Sequence, residues 1–194
     1  MNKHSIATFI ILLYSLVWAT HVIAQAKDQE PTKWETKLDV FQRKIGVVLV
    51  KGSSQIGTVK GGGGEVQVQA IEYLDTSSGE RASGVELFLS ANNGSYTQID
   101  YDEIDSLVKA IERLASLDKS TTGLEKYVAT YRTRGNVTVS RFTEAPSGKG
   151  ISAAVDGNAI GGGTVFLTVE GLGNFKRLVT EAKTKLDSLR TQKK

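Results

Sequence analysis

Two stretches of helical periodicity, each preceded by strand-like segments, constrain the fold of this 194-residue chain more than any other feature. The first stretch spans residues 102–116, and one helical face collects its apolar residues: Ile104, Leu107, Val108, Ile111, Leu114 and Ala115. The second begins at Asn174 and repeats the pattern with Phe175, Leu178, Val179, Ala182, Leu186 and Leu189. Asp102 and Asn174 are residue types that cap helix N-termini. The sequence therefore predicts two amphipathic helices, each with one face for a core.

Runs rich in Val, Ile, Thr and Tyr, separated by glycine-containing turns, precede each helix. Before the first helix they predict strands near residues 37–51, 56–60, 65–74 and 83–90, with a short lead-in at 96–99. Before the second helix they predict strands near residues 126–134, 137–143, 150–155 and 164–170. Each half is then an antiparallel meander of about four strands followed by one helix, which is an α+β architecture.

The two halves also align with each other. A shift of 71 residues places Ile104 on Phe175, which predicts an internal repeat with halves at residues 27–120 and 121–194. The first half carries 11 basic and 15 acidic residues, and the second carries 12 basic and 6 acidic residues. Opposite net charges favour association, and a sheet with one helix leaves its other face exposed. We therefore expect the halves to pack as one compact domain.

The first 26 residues have the parts of a secretory signal peptide. A cationic start at Lys3 precedes the uncharged apolar run 6–18, and the small residues Ala24 and Ala26 end the segment. We expect a signal peptide at residues 1–26, cleavage after Ala26, and a bacterial protein that is periplasmic or extracellular. The alternative is an uncleaved membrane anchor, which would need the apolar run to extend to Ala24 to reach across a bilayer.

Cleavage at that position would remove both histidines, His4 and His21, and the chain contains no cysteine. A mature chain without these side chains cannot form a Ser-His-Asp triad, a thiolate nucleophile or a usual zinc site. We therefore expect a protein that is not an enzyme, needs no cofactor and acts as a binding or interaction module. The alternative is a small exported hydrolase that uses carboxylates or a divalent cation.

Acidic residues and glycines form two further patterns. Asp100, Asp102 and Asp105 are candidate metal ligands, although residues 100–111 lack the glycine and glutamate of an EF-hand loop. Acids at this position also suit the positive end of a helix dipole. The glycine runs 61–64 and 161–163 lack the strand-to-helix context of a phosphate loop, and they predict hairpin turns or bulges instead.

The segment 126–142 carries the main candidate for a binding surface. A two-residue turn at Gly135 and Asn136 would pair Arg134 with Val137. That register places three arginines on one face of a hairpin: Arg132, Arg134 and Arg141. Three guanidinium groups suit phosphate, sulfate or carboxylate, so the expected partner is an anionic ligand or an unknown protein. The alternative is a solvated edge whose arginines pair with acids of the first half.

The stretch 101–111 followed by 126–135 resembles a set of small, uncharacterised exported bacterial proteins, a likeness that implies no activity. The two meander-plus-helix units are similar in topology to the Whirly and PUR-type folds. That similarity implies a single-strand nucleic-acid binder as a second alternative. The expected export, the small net charge of +3 and the lack of aromatic residues on the arginine-bearing face argue against nucleic acid as the partner.

Overall fold

The computed structural model describes residues 35–91, 94–143, 150, 152–157 and 163–192. The predicted signal peptide at residues 1–26 lies outside this part of the chain. The described residues form two four-stranded antiparallel sheets, each followed by a helix, and no closed barrel. The predicted α+β fold class is therefore confirmed.

The first half begins with a short helix and continues through four strands to a longer helix. Its elements are α1 (Lys37–Gln42), β1 (Leu49–Gly61), β2 (Gly64–Asp75), β3 (Arg81–Leu89), β4 (Ser95–Asp100) and α2 (Ile104–Ala115). A turn of 3-10 helix, Tyr101–Glu103, joins β4 to α2. The strands pair in chain order, β1-β2-β3-β4.

The second half has the same connectivity with shorter strands. Its elements are β5 (Val128–Arg132), β6 (Thr138–Phe142), β7 (Ala153–Asp156), β8 (Thr164–Leu167) and α3 (Val169–Gln192), with the strands again paired in chain order. Within the described ranges, no helix combines the length and the apolar character needed to span a membrane.

The strand prediction is wrong at residues 37–42, which form α1. The cause is a capping box in which Thr36 Oγ1 accepts a hydrogen bond from Asp39 N at 2.8 Å. In return, Asp39 Oδ2 accepts from Thr36 N at 3.1 Å. This reciprocal pair satisfies two N–H groups at the start of the helix and favours it over an extended strand.

The start predicted for the second amphipathic helix is also wrong. The helix begins at Val169 rather than after Asn174, and it runs through two glycines. Thr168 provides the cap, because its Oγ1 accepts a hydrogen bond from Gly171 N at 3.0 Å. The last predicted strand therefore ends at Leu167 instead of residue 170.

The two halves share one hydrophobic core. α3 contacts β1, β2 and β3 of the first sheet, while α2 contacts β5 and β6 of the second sheet, and the two helices contact each other. Fully buried side chains from both halves meet in this core: Leu87, Ile99, Ile111, Leu167 and Phe175. Because each helix packs on the sheet of the other half, neither half could bury its apolar surface alone.

The repeat has a spacing of 68 residues, not 71, through the last two strands and the helix of each half. Val85 pairs with Ile99, and the residues 68 positions later, Ala153 and Leu167, pair in the same way. The same shift places buried residues of α2 on buried residues of α3, for example Ile111 on Val179. The spacing of 71 residues taken from the sequence is therefore three residues too long. Residues three apart are neighbours on a helix surface, so the apolar faces of the two helices still largely coincide at the wrong spacing.

The first glycine run forms the predicted hairpin turn. Gly61 pairs with Gly64 at the end of the β1–β2 hairpin. Gly62 exchanges two backbone hydrogen bonds with Phe166, at 2.8 and 2.9 Å. A Cβ at Gly61 would overlap the Phe166 carbonyl oxygen, so glycine is needed where the hairpin meets β8. Of the second run, only Gly163 lies within the described residues.

Candidate functional site on the outer face of the first sheet

The arginine hairpin has a different turn from the predicted one. Thr133 N donates to the carbonyl oxygen of Val137 at 2.9 Å, so the loop contains three residues, 134–136. Asn136 adopts a φ of 61°, the left-handed conformation usual for the last residue of such a loop. The predicted pairing of Arg134 with Val137 is therefore wrong by one position.

This slip separates the arginines that were predicted to share a face. Arg132 lies opposite Thr138, and its Nε donates to that hydroxyl at 3.3 Å. Arg141 is three positions beyond Thr138 on β6, and successive strand residues point to opposite faces. Arg141 therefore lies on the other face, where its Nη1 donates to the carbonyl oxygens of Phe142 and Ser152, both at 2.9 Å.

The third arginine of the predicted face, Arg134, joins the two halves. Its Nη1 donates to Asp100 Oδ2 at 2.9 Å, and its Nη2 lies 3.6 Å from Asp102 Oδ2. Asp100 is 1% exposed and also accepts from the backbone N–H groups of Lys37 and Leu38, at 2.8 and 3.1 Å. One buried carboxylate thus holds both the N-terminus of α1 and the β5–β6 loop.

Glu103 lies against the same loop. Its Oε1 accepts a hydrogen bond from Arg134 N at 2.8 Å, while its Oε2 is buried and has no hydrogen-bond partner among the described residues. Burial raises the pKa of the Glu103 carboxyl, and Asp100 and Asp102 act in the same direction. Burial and the nearby Glu103 charge also raise the pKa of Tyr131. Glu103 therefore keeps its proton to a higher pH than an exposed glutamate.

The three candidate metal ligands do not converge on one point. Asp100 faces Arg134, Asp102 accepts a hydrogen bond from Lys37 Nζ at 2.7 Å, and Asp105 lies 3.6 Å from Lys183 Nζ. Burial alone would raise the pKa of Asp102, but the hydrogen bond and charge of Lys37 outweigh it and lower the pKa. In the described part of the chain, no group of three or more acidic residues could hold a metal ion.

The outer face of the first sheet carries a closed ring of hydrogen bonds. The Gln98 amide, on β4, donates to Tyr73 Oη at 3.2 Å and to Glu86 Oε2 at 3.1 Å. Tyr73 Oη donates to Gln42 Oε1 at 2.9 Å, and the Gln42 amide donates to Gln98 Oε1 at 2.8 Å. The three side chains of this ring, Gln42, Gln98 and Tyr73, fix one another's orientation.

Glu86 anchors the ring to the sheet. This residue is 5% exposed, and its two carboxylate oxygens accept hydrogen bonds from Lys51 Nζ at 2.9 and 2.7 Å. Burial alone would lower the pKa of Lys51, but the hydrogen bonds and charge of Glu86 outweigh it and raise the pKa. Lys51 therefore stays charged at neutral pH and compensates the buried carboxylate.

Helix α1 covers part of this outer face. Its residues Leu38 and Phe41 form a small second core with two side chains of β2. Gly84 makes the close approach possible, because a Cβ there would overlap the Ile99 carbonyl oxygen and lie 2.7 Å from Leu38 Cδ1. The helix brings Gln42 to the sheet and leaves Tyr96 uncovered.

A depression of about 170 Å³ opens where α1, β4 and the β5–β6 loop meet. Its lining includes Thr36, Asp39, Gln42, Tyr96, Gln98 and Gly135. Tyr96 is 64% exposed, and its ring lies 4.8 Å from the ring of Phe88 at a tilt of 41°. This site, the Tyr96 depression, combines an exposed aromatic ring with amides of fixed orientation.

Sequence reasoning did not identify the residues of the Tyr96 depression. Tyr96 and Gln98 alternate along a predicted strand segment, which places them on one face of it. Nothing local to them indicates that α1 would bring Gln42 and Asp39 alongside. The arginine-rich segment contributes to this site only through the backbone of its loop, at Gly135.

Comparison of the chain with protein-family models, curated proteins and solved structures found no match.

Proposed function

We propose that this protein is a non-catalytic binding module whose contact surface is the Tyr96 depression. One observation carries the proposal. The exposed side chain of Tyr96 lies beside the amides of Gln42 and Gln98, and hydrogen bonds among Gln42, Gln98 and Tyr73 fix the orientation of those amides. Polar groups that are ordered before binding lower the entropy cost of association. Tyrosine is also enriched among residues that dominate binding energy.

The ionisable groups around the depression support binding rather than proton-transfer chemistry. Glu86 is paired with Lys51, and Asp100 is paired with Arg134. A general acid or base needs a proton-exchanging group within reach of a substrate. These carboxylates are instead engaged with cations and backbone N–H groups.

We also propose that the protein is exported and acts in the periplasm or outside a bacterial cell. The support is the cationic start, apolar run and small-residue exit within residues 1–26. N-terminal sequencing of the protein from an envelope fraction is expected to begin at Lys27. An intact Met1 on protein from the membrane fraction would support the anchor alternative, and a cytoplasmic location would contradict export.

A thermal-shift screen tests the binding proposal. The protein is used in the form that is isolated from cells, after any cleavage of its N-terminal segment. The probes are neutral saccharides, inorganic phosphate and sulfate, calcium, magnesium and oligothymidine. A ligand at 100 times its dissociation constant stabilises the folded state by about 2.7 kcal/mol. We expect one class to raise the melting temperature of the wild type and of Leu124→Ala, an exposed control, and not that of Tyr96→Ala.

Other results of the screen would favour the alternatives. Phosphate or sulfate could raise the melting temperature of Tyr96→Ala but not that of Arg132→Glu. That result would favour the arginine hairpin as the binding site. A calcium or magnesium shift lost in Asp102→Asn would favour the cation-dependent hydrolase. An oligothymidine shift that weakens steeply with salt would favour a nucleic-acid binder. No shift with any probe would contradict a small-ligand site at the Tyr96 depression.

A further inference from the structure

We infer that the ligand of the Tyr96 depression is an uncharged carbohydrate, an inference that rests on the proposed function above. Charge is the first reason. Among the residues that the structure describes, the lining contains the carboxylate of Asp39 and no lysine or arginine. The neighbouring bases Lys37 and Arg134 are both paired with carboxylates. A phosphate, a sulfate or a nucleic-acid backbone would therefore meet a negative group without a compensating cation.

The hydrogen-bonding groups of the depression are the second reason. The Gln42 amide nitrogen already donates to the Leu38 carbonyl and to Gln98, and the Gln98 amide nitrogen donates to Tyr73 and Glu86. With these donors in use, the two amides offer their remaining oxygen lone pairs to a ligand. Several fixed acceptors, mostly neutral, suit a ligand with several O–H donors, which is the chemistry of a sugar.

The aromatic wall is the third reason. Tyr96 rests on Phe88, and Gly94 packs closely behind that ring, since a Cβ at Gly94 would lie 2.7 Å from Phe88 carbon atoms. Phe88 thus supports one side of the Tyr96 ring, while Tyr96 as a residue remains 64% exposed. A rigid tyrosine supplies a large amphipathic contact area at low entropic cost. Such a ring can cover the C–H face of a sugar while the amide oxygens of Gln42 and Gln98 accept hydrogen bonds from the sugar hydroxyl groups.

The size of the depression limits what it can enclose. Its volume of about 170 Å³ is smaller than the roughly 300–1,000 Å³ of pockets that enclose drug-sized ligands. The depression is also open to solvent along the Tyr96 side. The expected ligand is therefore one sugar ring of a longer chain, with the flanking rings lying on the surface.

Retention on insoluble cellulose, chitin, amylose and mannan tests this assignment. We expect the wild type to be retained on at least one of these polymers, with little change when salt is raised. Tyr96→Ala is expected to weaken retention at least tenfold, a loss of about 1.4 kcal/mol. Tyr96→Phe keeps the ring and should retain binding, and Leu124→Ala is the control for an exposed apolar residue. Melting temperatures of all variants establish that they are folded.

Three results would overturn the assignment, and they differ in what they say about the proposed function. Equal retention of the wild type and Tyr96→Ala would show that carbohydrate binds elsewhere. No retention on any polymer, together with a Tyr96-dependent thermal shift with phosphate, sulfate or oligothymidine, would overturn the carbohydrate assignment and keep the proposal of a binding module. No retention and no Tyr96-dependent shift would overturn both.

Discussion

The two sheets have the same connectivity, yet their outer faces carry different chemistry. In the first sheet Glu86 lies opposite Gln98, and in the second the corresponding pair is Ala154 and Phe166. The buried charge and the amide of the first sheet are thus replaced by apolar side chains in the second. The repeat preserves the backbone pairing and the core side of the sheet, while the outer side differs between the halves.

The next cross-strand pair on the outer face shows the same divergence. The rings of Phe88 and Tyr96 lie in tilted contact in the first sheet, while their counterparts in the second, Asp156 and Thr164, share a hydrogen bond between side chains. An aromatic platform and a small polar pair therefore occupy the same position in the two meanders. The candidate site depends on residues that the repeat does not share.

Strand length accounts for much of this difference. β1, β2 and β3 contain 13, 12 and 9 residues, whereas β5, β6 and β7 contain 5, 5 and 4. The short strands of the second sheet are enough to form its half of the shared core. The extra length of the first sheet supports α1, which packs on the outer face and forms one wall of the Tyr96 depression.

Substitution of the corresponding residues at the ends of β4 and β8 should give the largest difference between the halves. Asp100 and Thr168 are 68 positions apart and therefore correspond in the repeat. The Thr168 side chain caps the helix that follows it. The Asp100 side chain makes no such cap and instead accepts hydrogen bonds from α1 and Arg134. We expect Asp100→Ala to cost about 3 kcal/mol in the free energy of unfolding, because it leaves Arg134 and two N–H groups without their acceptor. Thr168→Ala should cost about 1 kcal/mol. Equal losses in urea denaturation would contradict the linking role of Asp100.

A second pair of substitutions tests how α1 packs on the first sheet. Gly84→Ala is expected to cost about 2–3 kcal/mol, because the added methyl group collides with the Ile99 carbonyl oxygen and with Leu38. Its counterpart, Ser152→Ala, removes a buried hydroxyl that has no hydrogen-bond partner in the described part of the chain, and it should change stability by less than about 0.5 kcal/mol. Hydrogen exchange should localise the Gly84→Ala defect to α1. A defect spread evenly over both sheets would argue against this contact.

Replacing Glu86 by the alanine found in the second sheet tests the polar network. We expect Glu86→Ala to cost about 1–2 kcal/mol, because Gln98 and Lys51 lose their shared partner. Lys51 is partly exposed, which limits the loss. Adding Lys51→Met should recover part of the stability, since it removes the unpaired charge. A double variant less stable than Glu86→Ala would show that Lys51 stabilises the sheet through other contacts.

The smallest effect is expected at Glu103, and it depends on pH. Because burial raises the pKa of Glu103 in the folded state, ionising it costs stability as pH rises from its ordinary value of 4.5 through the folded value. Glu103→Gln keeps the acceptor for Arg134 N and removes this cost. The variant should match the wild type near pH 4 and be more stable by less than about 1 kcal/mol at pH 7. Thermal melts that give the opposite order at pH 7 would show that attraction to Arg134 dominates.

Some of this architecture could be predicted because it depends on residues close together in the chain. The apolar period of 102–116 locates α2 to within a few residues, and the first glycine run locates the β1–β2 turn. The strand segments of the second half were recognised, with boundaries that differ from the observed ones by up to three residues. Export of the chain stays a prediction, since residues 1–26 lie outside the described part.

The errors occur where a single residue of loop or cap decides the outcome. A three-residue loop in place of a two-residue loop moves Arg132 and Arg141 to opposite faces, because strand side chains alternate. The capping box at Thr36 converts the start of a predicted strand into α1. Such differences are small in local free energy, and packing against the rest of the protein resolves them.

The two amphipathic helices, the strand-rich segments before each of them and the α+β class could be predicted from the sequence, because periodicity and turn residues act over a few neighbouring positions. The side chains that face one another across each sheet, and the sheet that each helix covers, depend instead on tertiary packing. The Tyr96 depression joins α1, β4 and the loop at Gly135, which are far apart in the chain. Strand register and the packing of α1 bring them together, and both follow from contacts that no local pattern encodes.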